Sequence, residues 1–118
     1  MFVQDNSGHS FASYFKRAVS PIIVLALLHS KKMYGYEISQ EINDRTNKKL
    51  SIAVLYPVLY RLEEQGYIHV VDTIVENGRA RNYYSTTPSG DAYLKATYTE
   101  FLDLTNTFRE IVEGDYDE

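Results

Sequence analysis

No cysteine occurs among the 118 residues, which excludes disulfides, thiolate metal sites and a cysteine nucleophile and fits a reducing compartment. Long apolar runs are missing too. The longest, Pro21 to Leu28, is far too short to cross a bilayer, and the N-terminus lacks the charged-then-apolar layout of a signal peptide. A cytoplasmic protein is therefore expected. There is no Gly-rich phosphate loop and no nucleophile elbow. His9, His29 and His69 are far apart in sequence, with no partner at catalytic or metal-ligand spacing. Glu63 and Glu64 diverge around a helix, so they cannot act as an acid and base pair. Neither an enzyme nor a cofactor or metal site is expected.

Positive charge, which nucleic-acid binding needs, is in deficit overall, since the formal net charge is -4. Its distribution restores the possibility. Lys31, Lys32, Arg45, Lys48, Lys49, Arg61, Arg79 and Arg81, eight of the twelve basic residues, lie between positions 31 and 81. From Pro88 onward two basic residues face eight acidic ones, so the acidity belongs mainly to the tail. A basic face in the middle requires that Glu37, Glu41, Asp44, Glu63, Glu64, Asp72 and Glu76 point elsewhere. By length the chain is one domain, with a core small enough for a partner subunit to be needed.

The few prolines and glycines, three and six, punctuate an orderly pattern. Phe11 to Val19 reads as a short helix with Phe11, Tyr14, Phe15 and Ala18 on one side, packed on a second subunit or on the C-terminal helix. Ser20-Pro21 reads as an N-cap and first-turn proline. Ile22 to His29 is apolar nearly all round, as in a central buried helix. Tyr36 to Asn47 is amphipathic, with Ile38 and Ile42 inward, and Asn47 to Leu50 is a turn. Beyond it, Ile52, Leu55, Leu59 and Leu62 share one helical face at roughly 100° per residue, while Ala53, Pro57, Tyr60, Arg61 and Glu64 share the other. Ser51 is the candidate N-cap and Gly66 the stop. Pro57 would clash with the Ala53 carbonyl in a helix starting at Ile52, so a bend, or a regular helix only from about Val54, is expected.

Tyr67 to Val75 and Ala80 to Thr87 then read as two strands around Glu76-Asn77-Gly78-Arg79, with Asn-Gly a strong hairpin signal. Two strands after a helix-turn-helix make a wing. Thr87-Pro88 starts a last helix, in which Leu94, Tyr98, Phe101, Thr105, Phe108 and Val112 recur near every 3.5 residues, widened by Leu104 and Ile111. Such a stripe would be left wet in so small a chain, so a symmetric dimer is the economical expectation. The fold class is mainly α with a two-stranded β-wing. The expected organisation is an N-terminal arm over 1–19, a winged helix-turn-helix over 20–87, and a dimerisation helix with acidic tail over 88–118.

Several stretches, Tyr34-Gly-Tyr-Glu-Ile38, Leu55-Tyr-Pro-Val-Leu59, Arg61-Leu-Glu-Glu-Gln-Gly-Tyr-Ile68, Gly78-Arg-Ala-Arg-Asn-Tyr-Tyr84 and Thr87-Pro-Ser-Gly90, resemble in order and spacing the PadR family of bacterial transcriptional regulators. The match runs from about Ile22 to the end and looks like the shorter subfamily with one C-terminal helix. The resemblance implies a winged-helix homodimer paired through that helix, often with an N-terminal helix, that represses a promoter until an effector intervenes. It implies that Tyr34, Tyr56 and the wing's basic residues lie at or near DNA, and that Pro57 is tolerated. Ala53 stands where the family often has glycine or another small residue. Drug-binding members of the shorter subfamily stack planar ligands on tryptophan in a pore at the dimer centre. This chain has no tryptophan, and Phe11, Tyr14, Phe15 and Tyr98 are the aromatics that could line such a cavity.

The leading expectation is a dimeric repressor of an inverted-repeat operator, released by a small aromatic effector. Lys48, Lys49, Arg79 and Arg81 would meet phosphates, with Asn77 at the wing turn, and Ser51, Ala53, Val54, Tyr56, Tyr60 and Arg61 would touch bases or the adjoining backbone. The alternative is a winged-helix module for protein contact without DNA binding, which the near-neutral middle and acidic tail would allow.

Overall fold

The computed structural model describes residues 9–114; the first eight residues of the arm expected over 1–19 and the last residues of the acidic tail lie outside the described residues. Four helices and one hairpin follow in the order α1 (Phe11–Ser30), α2 (Gly35–Thr46), α3 (Leu55–Glu64), β1 (Ile68–Glu76), β2 (Arg79–Thr86) and α4 (Pro88–Gly114).

The two helices expected on either side of Ser20 are one. Ser10 is the N-cap of α1, accepting the Ser13 N–H at 3.1 Å, and Pro21 lies inside the helix. Interior proline costs about 3 kcal/mol. That cost is outweighed by burial of Val24, Leu25, Leu27 and Leu28 in the core, each contributing roughly 2 kcal/mol. The Ser20 hydroxyl, expected from sequence to be a cap, instead donates back to the Lys16 carbonyl. The continuous helix is long and apolar enough to cross a bilayer, which the run of residues 21–28 alone is not; its core side chains are covered by the protein's own α2 and α3. Its all-round apolarity has a second cause: Phe15, Ala18, Val19, Ile22, Ile23 and Ala26 form a further stripe that faces α4 across an open groove.

In α2, Ile38 and Ile42 are buried as their spacing requires. The helix ends on Asn47 (φ +50°), followed by Lys48 (φ +64°). Because α3 begins at Leu55 with Val54 as N-cap, Pro57 falls in the first turn, where a missing N–H costs nothing. Ser51 is not the cap; its hydroxyl donates to Asn43 Oδ1 and to the Lys48 carbonyl, closing the α2–α3 turn. Leu55, Leu59 and Leu62 form the buried face. The α3 C-terminus closes on Gly66 (φ +80°). There the Tyr67 N–H bonds to the Leu62 carbonyl at 2.9 Å and the Gly66 N–H to the Glu63 carbonyl at 3.0 Å, a pattern that satisfies the last carbonyls.

The hairpin is antiparallel, with Glu76 opposite Arg79 and a bulge between Val70 and Asp72. Asn77 (φ +51°) and Gly78 (φ +76°) make its two-residue turn, with positive φ at both positions as the strand twist prefers. An isolated antiparallel bridge ties Tyr84 of β2 to Met33 in the α1–α2 connection through N–H···O bonds of 2.9 and 3.2 Å.

The start of α4 is locked to the end of α3. Thr87 donates its N–H to the Tyr67 carbonyl (3.0 Å) and its hydroxyl to the Gly66 carbonyl (2.6 Å), while Thr87 Oγ1 accepts the Gly90 N–H (3.0 Å). A Cβ on Gly90 would stand 1.9 Å from the Tyr67 carbonyl oxygen. Tyr67 and Tyr93 stack with centroids 4.3 Å apart, and His29 Nδ1 lies 2.8 Å from Asp91. A hydrogen bond from Thr86 and the neighbouring His29 hold the Asp91 carboxyl below its ordinary pKa.

Replacing Gly90 by alanine is expected to destabilise the protein by about 3 kcal/mol or prevent folding, since backbone rather than a flexible side chain must give way. Chemical denaturation measures it, and a loss under about 0.5 kcal/mol would contradict the close approach.

Candidate nucleic-acid interface

Three elements converge on one cleft of about 510 Å³, lined by Tyr34, Gly35 and Tyr36 at the start of α2, Tyr56 and Tyr60 of α3, and Arg79, Ala80, Arg81, Asn82 and Tyr84 of β2. The amphipathic division of α3 places it there. With Leu55, Leu59 and Leu62 turned inward, Val54, Tyr56, Tyr60 and Arg61 are left on the surface. The Met33–Tyr84 bridge brings the wing alongside. Gly35 allows the closeness, because a Cβ there would meet the Tyr56 hydroxyl at 2.6 Å.

Within the cleft the Arg81 guanidinium lies 4.9 Å from the Tyr34 ring centroid. It donates to the Tyr34 hydroxyl at 3.1 Å and to Glu76 at 2.9 Å. Tyr34 in turn packs edge-on against Tyr83, 5.2 Å between centroids, and its N–H bonds the Glu37 carboxylate at 3.3 Å. The Tyr83 hydroxyl is raised above its ordinary pKa by desolvation first and then by Glu37. The cleft is therefore a set of hydroxyl and guanidinium donors on aromatic faces, a chemistry suited to backbone phosphates and base edges.

Of the residues expected at DNA, the structure brings Tyr34, Tyr56, Tyr60, Arg79 and Arg81 together in the cleft. Val54, Ala53 and Arg61 are exposed beside it on or just before α3, and Asn77 is exposed at the wing turn. Lys48 and Lys49 are exposed on the α2–α3 turn. Ser51 is half-buried and its hydroxyl is engaged with Asn43. Among described residues Lys48, Lys49, Arg61 and Arg79 make no ion pair with a carboxylate, whereas Lys32, Arg45, Arg81 and Arg109 do. Of the acids that had to point elsewhere, Glu41 is paired with Arg45 and Asp72 with Lys32, but Glu76 stands inside the arrangement. Sequence reasoning did not assign Tyr36 or Asn82. Tyr36, two positions from Tyr34 and outside the Ile38–Ile42 stripe, carried a legible signal; Asn82 follows only from the strand register.

The second concavity, about 930 Å³, is the apolar groove between α1 and α4. Phe15, Leu94, Tyr98, Phe101 and Leu104 of the expected dimerisation set line it, with Phe15 and Phe101 in edge contact at 6.5 Å. The α4 helix thus folds partly onto its own domain, as far as Leu104, which lines the groove's outer end while 61% exposed. Farther out, Phe108, Ile111 and Val112 are 64, 62 and 41% exposed, while Thr105 is half-buried. Phe11 and Tyr14 are exposed at the N-terminal end of α1 and do not line the groove.

A family model described as the transcriptional regulator PadR-like family matches residues 24–96. The Mycobacterium tuberculosis transcriptional regulator Rv3488 is 36% identical over 100 residues, covering 85% of this chain and 89% of that protein. A Lysinibacillus sphaericus protein is 40% identical over 94 residues, covering 78% and 86%. A PadR family transcriptional regulator from Eggerthella lenta superposes with a TM-score of 0.77 at 25% identity, over 85% of this chain and 87% of that one. A transcriptional regulator from Clostridium thermocellum gives 0.72 at 33% identity, over 86% and 96%.

Ser51→Ala is expected to cost about 1 kcal/mol by releasing the α2–α3 turn from Asn43. Thermal unfolding measures this, and an unchanged midpoint would mean that the hydroxyl does not support the turn.

Proposed function

The chain belongs to the PadR-like family of transcriptional regulators and is a DNA-binding regulator; from that premise we propose that it is a homodimeric repressor of an inverted-repeat operator. The observation that carries this reading is the cleft in which the start of α2, α3 and the wing present Tyr34, Tyr56, Tyr60, Arg79 and Arg81 together. The exposed face of α3, with Val54, Tyr56, Tyr60 and Arg61, enters a major groove and reads bases. Lys48, Lys49, Arg79 and Arg81 hold phosphates on either side.

The second copy covers the outer α4 stripe. An apolar row of Leu104, Phe108, Ile111 and Val112 left in water would be unfavourable. Pairing it about a twofold axis sets two α3 helices against half-sites roughly 34 Å apart. In this reading 20–87 serves as the DNA-reading unit and 88–118 as the dimerisation segment, while the stretch expected as a separate arm is, from Phe11 on, the first half of the continuous α1, lining the groove against α4. A small aromatic effector would lodge in the groove among Phe15, Tyr98 and Phe101. It would release DNA by shifting α1 against α4, whose base is fastened to the end of α3.

Two variants test the two halves of this reading. The double change Arg79→Ala with Arg81→Ala is expected to weaken binding to every sequence and to flatten the slope of log K against log salt by about 2, two phosphate contacts being lost. Unchanged affinity and slope would remove the wing from the interface. Leu104→Asp with Phe108→Asp is expected to convert a sedimenting dimer to monomers of 13.6 kDa and to lower operator affinity at least tenfold, on the order of 1.4 kcal/mol. A wild-type protein that sediments as a monomer at tens of micromolar would refute the dimer.

A further inference from the structure

Arg81 is the one cation of the cleft that already has a carboxylate. Ile74 and Glu76 of β1 are opposite Arg81 and Arg79 of β2, so all four side chains leave the same face of the hairpin. Glu76 could lie toward Arg79, its direct opposite. It reaches diagonally to Arg81 Nη1 instead, at 2.9 Å, and the same nitrogen donates to the Tyr34 hydroxyl at 3.1 Å, with the Tyr34 ring centroid 4.9 Å from the guanidinium. Arg81 is less exposed than its partner, 32% against 54% at the side chain. The arginine is held by two groups while the carboxylate stays at the rim.

This arrangement rests on the DNA-binding reading above and gives it a regulating element. We propose that Glu76 is a built-in competitor for the backbone phosphate received by the Tyr34–Arg81 pair. A phosphodiester and a carboxylate can each present two oxygens to a guanidinium, so they contend for the same N–H donors. On an unselected duplex the phosphate must displace Glu76 and then tolerate its negative charge nearby. When α3 is seated on its operator, base contacts add the free energy that displaces it. The Tyr34 ring keeps the guanidinium in place during the exchange, since its cation–π contact is made with either acceptor. Glu76 therefore lowers affinity for DNA in general, and its removal raises affinity wherever Arg81 is present.

The test is a double-mutant cycle read by fluorescence anisotropy, on DNA from upstream of the protein's own gene and on a scrambled duplex. Glu76→Gln is expected to tighten binding to both duplexes by about fivefold, the upper range of an exposed ion pair. In an Arg81→Gln background the same change is expected to gain less than twofold. Position 76 is exposed and the change is isosteric; a circular dichroism melt confirms that each variant is folded, and Glu76→Ala serves in place of any that is not. Equal gains in both backgrounds would mean that Glu76 acts only as one more negative charge, and no gain in the wild-type background would remove it from the interface; either overturns the proposal while leaving the regulator reading intact. Wild-type protein that binds neither duplex at any salt would overturn both.

Discussion

Everything that gives this small chain a direction depends on the contact between Gly90 and the Tyr67 carbonyl. No side chain fits between them, and Thr87 bridges the same few atoms by donating to the carbonyls of Gly66 and Tyr67. In one spot α3 ends, the wing begins and α4 departs. The stacked pair Tyr67 and Tyr93 and the contact of His29 with Asp91 extend the joint to α1 and to the second turn of α4. No flexible linker separates α4 from α3, so under the proposed effector mechanism a movement of α4 would be passed to the C-terminal end of α3, toward a cleft with which the groove shares no residue.

The cleft has its own economy. Its aromatic rings are half in and half out of the fold: Tyr84 is buried in the core, Tyr34 and Tyr83 are half-buried, and Tyr36, Tyr56 and Tyr60 are exposed. Rings of this kind supply rigid surface and a hydroxyl at little cost in side-chain entropy. Arg81 is steadied by the Tyr34 ring, so in the proposed complex it would meet a phosphate without first losing much of its freedom. A net negative protein can act on DNA in this way, because phosphate attraction depends on the few cations at the surface it presents rather than on the total charge.

Much of this was legible in the sequence because the signals were local. Asn77-Gly78 demanded a two-residue turn, Thr87-Pro88 a helix start and Gly66 a helix stop, and each is found as such. Ile38, Ile42, Leu55, Leu59 and Leu62 marked the inner faces by spacing alone. The expectations that failed share a cause, which is that capping residues look alike wherever they stand. Ser20-Pro21 has the form of a helix start, yet the stripe from Phe15 through Ala18, Ile22 and Ala26 runs through it unbroken and was the better guide. Ser51 has the form of a cap but closes a turn, and the proline six residues on was the truer sign of where α3 begins. The pairing of Glu76 with Arg81 rather than Arg79 could not be read at all, since it depends on which diagonal neighbour is steadied by a tyrosine more than forty residues away.

The most direct measurement is the anisotropy of labelled DNA from upstream of the protein's own gene, titrated with the wild-type chain beside a scrambled duplex at low and near-physiological salt. Saturable binding that prefers the native fragment, with two chains per site and affinity falling steeply as salt rises, is what a paired winged-helix regulator should give. Equal and weak binding to both duplexes with no dependence on salt would contradict it.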